Sequence, residues 1–254
     1  MNMVSAVVLT HNEKKNIERC LQALSFCDEI VVLDDNSTDA TIDIAQKMKA
    51  KMVKRTSKGN FSEQRNFALT EVKGDWILFV DADEIVTNEL KKSILENIVK
   101  DSPIVYYIKR RDFFWGKELQ YGETAKARNK GIIRLVKKNS GVWRGLVHEE
   151  FIFSGESGKL SGFLDHYPHQ SLKEFIYDIN AYSTIRAKEL LQQGKQPHIR
   201  EILLYPFGKF LLTYLIYLGF LDGPAGFCYA FMMSFHSFLV RAKVYQYVKI
   251  DRKT

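Results

Sequence analysis

From Met3 to Ile108 the chain alternates short apolar runs with segments whose apolar residues recur three and four positions apart. That alternation admits few architectures. Apolar runs of strand length joined by amphipathic helices read as β-α-β units, and successive units build an open α/β fold, a mostly parallel sheet flanked by helices. The spacing predicts strands at Val4–Leu9, Glu29–Leu33, Lys51–Val53, Trp76–Val80 and Ile104–Lys109. It predicts helices at Asn16–Leu24, Ala40–Met48, Ser62–Val72 and Asn88–Val99, the last with Ile94, Leu95 and Ile98 on one face. Asp39, and Thr87 or Asn88, are the expected N-caps.

Beyond Lys109 the pattern becomes aromatic and glycine-broken as far as His169, with strands expected at Ile132–Val136 and Glu150–Phe153. From Ser171 onward everything reads as helix. Leu172, Phe175, Ile176, Ile179, Tyr182 and Leu190 form one apolar stripe that ends near Gly194 and Pro197. Two strongly hydrophobic helices follow, Ile199–Phe220 and Gly223–Tyr247. The expected organisation is a catalytic domain over residues 1–170, with a donor site in 1–115 and an acceptor-side region in 110–170, and a helical appendage over 171–254.

Composition narrows the function. Hydrophobic residues at 46% and charged residues at 26% suit a folded globular chain of 254 residues, and the net charge of +7 favours anionic partners. Cys20, Cys27 and Cys228 form no C-x-x-C pair, which argues against structural zinc and for a reducing compartment. No signal sequence precedes the first strand pattern, so a cytoplasmic location is expected.

The segment Trp76-Ile77-Leu78-Phe79-Val80-Asp81-Ala82-Asp83-Glu84 is a wholly apolar strand that ends in carboxylates. In an open α/β sheet ligands collect outside the carboxyl ends of the strands, so these acids would face a crevice. Two carboxylates one residue apart can share Mg²⁺ or Mn²⁺, which takes oxygen ligands while bridging to phosphates. Asp34 and Asp35 end the preceding strand, and Thr10, His11, Asn12 and Glu13 end the first, all at the same edge. Acids around a pyrophosphate demand a metal and nearby cations, and Lys58, Arg65 and Arg134 are the basic residues on offer. The plainer reading of each piece is structural: turn-shaping aspartates, a helix cap, and an arginine on a solvated helix.

Thr10-His11-Asn12-Glu13, Val32-Leu33-Asp34-Asp35-Asn36-Ser37-Thr38-Asp39, Gln64-Arg65-Asn66-Phe67-Ala68 and Asp81-Ala82-Asp83-Glu84 occur in that order. As a set they resemble the inverting family 2 glycosyltransferases, which have the GT-A fold, related to the Rossmann fold. Gly145-Leu146-Val147-His148-Glu149, His166-Tyr167-Pro168-His169 and Gly219-Phe220-Leu221-Asp222-Gly223 extend the resemblance to the lipopolysaccharide-core subgroup that includes the WaaE-type glucosyltransferases. The resemblance implies a UDP-sugar or other nucleotide-sugar donor contacted by Thr10, His11, Asn12, Glu13, Asp35, Arg65 and Asp81. Asp35 would bond the uracil, Asp81 the ribose or the metal, and Asp83 the metal that bridges the diphosphate. There is no Q-x-x-R-W and no series of membrane spans, so a single transfer to a glycan or lipid-linked acceptor is expected rather than a processive synthase.

Inversion needs one base for the acceptor hydroxyl. Glu149 is the expected base with His148 orienting it or touching the phosphates, Asp112, Asp165 and Glu150 are the reserves, and the structural alternative is a Glu149 paired to Arg144 or Arg134. Two other classes compete. A nucleotidyltransferase would use the same acids, but the loop Thr10–Asn16 lacks the glycines of a phosphate loop. A nucleic-acid-binding module would use Lys109-Arg110-Arg111-Asp112-Phe113-Phe114-Trp115, but three acidic strand ends would repel its ligand. The two C-terminal helices, with Arg200, Arg241, Lys243, Lys249, Arg252 and Lys253 beside them, suit the inner face of an anionic cytoplasmic membrane. Packing on the catalytic domain, or on a second subunit in a homo-oligomer, is the alternative.

Overall fold

A computed structural model describes residues 2–57, 59–145, 149–196 and 198–249. The order is β1 (Val4–Thr10), α1 (Ile17–Ala23), β2 (Glu29–Asp34), α2 (Thr41–Lys47), β3 (Lys51–Lys54), α3 (Phe61–Glu71), β4 (Trp76–Asp81), β5 (Glu84–Val86), α4 (Asn88–Asn97) and β6 (Val105–Phe114). β7 (Lys117–Leu119), α5 (Ala125–Lys130), β8 (Ile132–Lys137), β9 (Gly141–Arg144), β10 (Glu150–Phe153) and β11 (Ser157–His166) follow, then α6 (Leu172–Gln192), α7 (Ile199–Leu211) and α8 (Gly223–Lys249).

The main sheet runs β3-β2-β1-β4-β8-β6-β11-β5, with β7 paired to β6. β3, β2, β1 and β4 are parallel, while β8 is antiparallel to both β4 and β6. Chain order reverses at β1: β2 and β3 extend one way, and β4 lies on the other side. This reversal makes the carboxyl ends of β1 and β4 the place where an open α/β sheet leaves a crevice for a ligand.

The central strands are buried on both faces, as helices on either side of a parallel sheet require. In β4, Trp76, Leu78 and Val80 face a core completed by Ile17, Leu21, Leu90 and Ile94, whereas Ile77 and Phe79 face another core with Ala68, Val72, Trp143 and Phe151. The strand's period of two thus serves two cores at once. β9 and β10 form a separate hairpin whose Trp143 and Phe151 lie in the second core.

The chain divides into two compact units: residues 1–111 with 127–166, and residues 112–126 with 167–254. The second unit has its own core, in which Phe114 and Leu119 meet Phe175, Ile179, Ala225 and Met232. Thr87 is the N-cap of α4, accepting from the Leu90 N–H, whereas α2 is capped at Ala40 and Asp39 accepts from Thr41 one residue further in. The expected helix Ile199–Phe220 is not continuous. α7 ends at Leu211, a π-helical turn spans Leu212–Ile216, and Leu218 takes a left-handed conformation before a short 3-10 turn. The expected loop region 110–170 also contains β7, β9 and β11, and β5 precedes α4.

Candidate active site

The ends of β1, β2 and β4 are neighbours in register: Thr10 sits opposite Asp34, and Leu9 opposite Asp81. The loops beyond them are laced together. Asn12, at φ 57°, accepts from the Thr38 N–H at 2.8 Å, and its own N–H donates to Ser37 Oγ at 2.8 Å. Asparagine tolerates this left-handed geometry better than most residues. Asp34 is buried and accepts from the Ser37 N–H at 3.0 Å. His11 Nδ1 lies 2.6 Å from the Asp35 carbonyl and its Nε2 lies 3.1 Å from the Asn12 amide, an arrangement satisfied by the Nδ1–H tautomer. The Asp35 carboxylate accepts from the Ser57 N–H at 3.0 Å and hydroxyl at 2.5 Å, which ties the loop before α3 to the end of β2. The Glu13 carboxylate accepts from Asn16 Nδ2 at 2.7 Å.

Beyond β4 lies an acid–arginine cluster. Asp81 accepts from Arg65 Nη2 at 3.2 Å and from Arg134 Nη2 at 2.5 Å. Arg134 also donates to the fully buried Glu84 at 2.9 Å, and Arg110 lies 3.7 Å from the same carboxylate. Burial works against ionisation of Asp81, but Arg134 and Arg65 outweigh it and hold the carboxyl well below the usual range. Burial likewise opposes the charge on Arg134, and Asp81 and Glu84 overcome it, raising its pKa. Arg65 reaches further, donating from Nε to Glu149 at 3.2 Å, with its guanidinium 5.1 Å from the Trp143 ring. Among the described residues Glu149 is therefore hydrogen-bonded to Arg65 rather than to Arg144 or Arg134, while its charge also acts on Arg134. Asn66 explains the meeting, because its side chain bonds both the N–H and the carbonyl of Trp143 at 2.8 Å and pins β9 to α3. Arg65 Nη1 and Arg134 Nε are buried without a hydrogen-bond partner among the described residues.

Asp83 stands in the turn between β4 and β5, and its carboxylate lies 3.1 Å from His166 Nε2. The antiparallel register of β11 on β5 sets His166 opposite Glu84 and so brings it there. Burial opposes the charge on Asp83, but His166 outweighs it and its carboxyl is lowered. Among the described residues no group of three His, Cys, Asp or Glu side chains could enclose a metal by itself. Mg²⁺ characteristically takes one or two carboxylates plus substrate phosphates, and imidazole serves the softer divalent ions. The Asp83 carboxylate therefore suits a hard ion shared with a diphosphate, and His166 stands beside it as a nitrogen donor. Lys58 and His148 lie outside the described residues.

In the region expected to face the acceptor, Asp165 forms a two-pronged pair with Arg111 at 2.7 and 2.8 Å. Asp112 is buried, and Glu150 is exposed on β10 opposite Arg144. Arg111 and Arg128 lie 4.7 and 5.9 Å from the Phe163 ring, with Lys109 at 6.0 Å.

The sequence profile of glycosyl transferase family 2 matches residues 5–147, which take in all three strand ends and the arginines. The chain belongs to this family. This glycosyltransferase is 28% identical over 253 residues to LpsC of Rhizobium meliloti (strain 1021), described as a lipopolysaccharide core biosynthesis glycosyltransferase, across 96% of this chain and 92% of LpsC. It is 31% identical over 252 residues to an uncharacterized glycosyltransferase of Rickettsia bellii (strain RML369-C), across 95% of this chain and 85% of the relative. Among solved structures, S. aureus TarS 1–349 in complex with UDP-GlcNAc aligns with a TM-score of 0.51 at 16% identity, over 96% of this chain and 91% of that one. That likeness concerns the fold and agrees with the GT-A-like architecture. Family membership sets aside the nucleotidyltransferase and nucleic-acid-binding readings.

Three residues of the candidate site had no role assigned from sequence. Glu84 and His166 stood inside quoted motifs, and their signal was only their presence there. Ser57, which holds Asp35, carries no signal of its own.

Proposed function

We propose that this glycosyltransferase moves a single sugar from a UDP-sugar to a glycan or lipid-linked acceptor, inverting the anomeric carbon, in assembly of the lipopolysaccharide core or another cell-envelope glycan. The observation that carries the reading is the convergence of acidic and amide side chains on the crevice where strand order reverses, with two buried arginines among them. The relation to LpsC along nearly its whole length supports the lipopolysaccharide context. The UDP-GlcNAc complex of the fold neighbour TarS puts UDP-sugars first among donors to try.

In this reading the loops carrying Thr10, His11, Asn12, Glu13 and Asp35 receive the nucleoside. Arg65 turns its unpartnered Nη1 donor to the diphosphate, and Asp81, itself fixed by Arg134, keeps that guanidinium in place. Lys58 adds positive charge. Asp83 and His166 would hold a Mg²⁺ or Mn²⁺ ion, which when bound neutralises charge on the departing diphosphate. Glu149 takes the proton of the acceptor hydroxyl as that oxygen bonds to the anomeric carbon, and the bond from that carbon to the diphosphate breaks to release UDP. Arg65 engages one oxygen of Glu149 and orients it, whereas Arg111 occupies both carboxylate oxygens of Asp165 and Asp112 is buried, so Glu149 is favoured over both.

The test is transfer from a panel of UDP-sugars to lipopolysaccharide core from a strain lacking the gene, with Mg²⁺ or Mn²⁺. Asp83→Asn keeps volume and removes charge, and lowers transfer at least about a hundredfold, as does EDTA. Wild-type turnover in Asp83→Asn, or activity untouched by EDTA, overturns the metal assignment. No turnover with any UDP-sugar overturns the donor class.

A further inference from the structure

The run from Ile202 to Leu221 holds one charged side chain, Lys209, and the structure turns it inward. Its Nζ lies 2.6 Å from Glu123. Asp222, which ends the run, is buried, with its carboxylate accepting from the N–H groups of Gln120 and Tyr121 at 3.0 Å each. Both charges are satisfied within their own unit. What remains outward is apolar: Leu203, Phe207 and Ile216 are 70%, 63% and 69% exposed, and Phe227 and Phe231 are about half exposed. Large side chains left in water on adjoining helices mark a surface that something covers.

α7 packs on α8, where Pro206 accepts from Ser234 at 2.7 Å and Phe210 meets Phe227 at 5.7 Å. The pair Ile199–Ile216 and Gly219–Lys249 is bent by 70°, and among the described residues no single helix is long and apolar enough to cross a membrane. Positive charge collects at the far end from the bend. Lys195 just before α7, Arg200 in its first turn and Lys249 at the end of α8 are exposed, against the one half-buried Glu201. Two other basic residues serve packing instead of facing outward. Lys243 donates to the Asn180 carbonyl, Ser183 and Thr184 at 2.6, 2.8 and 2.7 Å, and Arg241 lies 4.2 Å from the Tyr205 ring.

We propose that α7, the bend and α8 dock the protein onto a membrane surface containing anionic lipid, with the apolar side chains in the acyl boundary and the basic end at the headgroups. An apolar face bounded by cations is the pairing that an anionic bilayer surface complements. The proposal goes beyond the transfer reaction and stands whether or not the donor is a UDP-sugar.

Flotation of the full chain with vesicles tests it. The protein floats with phosphatidylcholine vesicles containing phosphatidylglycerol, and floats less with phosphatidylcholine alone or in high salt. Leu203→Glu and Ile216→Glu each lower the floated fraction at least about tenfold. Val142→Glu, at an exposed position on β9 in the other unit, leaves it unchanged. The thermal midpoint and UDP binding of the two docking variants stay at wild-type level, which separates failure to dock from failure of the transfer reading. Wild-type protein that stays in the bottom fraction with both vesicle types overturns the proposal without any variant, as do docking variants that float normally. A dimer that Ile216→Glu dissociates, with no flotation, assigns the face to a second copy and overturns the proposal equally.

Discussion

Asp81 accepts from Arg65 and Arg134, and Asp83 is paired with His166, so both carboxyls titrate below their unfolded value of about 3.9. A lowered folded pKa means that the folded state binds fewer protons. The stabilisation is then complete above the unfolded value and is lost as pH falls from there toward the folded one. Stability of the full chain therefore declines steeply below about pH 4, and Asp81→Asn flattens that decline. Urea midpoints measured from pH 6 downward check this, and parallel curves for variant and wild type would show that the arginine pairing adds nothing. Glu149 belongs to the same scale. In its proposed role of base it is needed for transfer and not for donor binding, so Glu149→Gln is expected to keep donor affinity and lose at least about a hundredfold in kcat. A near-normal kcat would move the base to another residue.

β11 shows how an element positions a side chain it does not itself surround. Thr87 Oγ1 donates to the Phe163 carbonyl at 2.9 Å and accepts from its N–H at 3.1 Å, and the Ser161 N–H donates to Ser93 at 3.0 Å, so β11 rides against the start of α4. The contact is close enough that only glycine serves at position 162. Its φ is 87°, and a Cβ there would stand 2.3 Å from the Leu90 nitrogen. Gly162→Ala is expected to cost about 2 kcal/mol or more in urea unfolding. Gly208→Ala, in α7 with nothing within 4 Å, changes stability by no more than about 1 kcal/mol, in the stabilising direction. Equal midpoints for Gly162→Ala and wild type would mean that β11 can shift away from α4. The same strand marks where sequence reading stops. Ser157-Gly158-Lys159-Leu160-Ser161-Gly162-Phe163 looks like a loop because its glycines weaken the strand signal, yet those glycines are there because other elements press against the strand.

For the molecule as a whole, β1 to β4, the first part of β6 and the acidic edge were legible because β-α-β units are local: each apolar run and each helical stripe lies within a few dozen residues of its neighbour. The pairings that complete the site are not local. Arg65 meets Glu149 across 84 positions and Arg134 meets Asp81 across 53, through strand registers that no spacing reveals. The second unit is non-local in another way, since residues 112–126 belong with 167–254. Translation makes Phe114 and Leu119 well before Phe175, Ala225 and Met232, the residues that cover them. Until Phe175 and Ile179 are made these two side chains have no native cover on the nascent chain, and their cover stays incomplete until Ala225 and Met232 follow. A premature stop after the first helix of that unit would release a protein in which Ala225 and Met232 never arrive, so the cost of losing the C-terminal helices would fall on residues synthesised a hundred positions earlier.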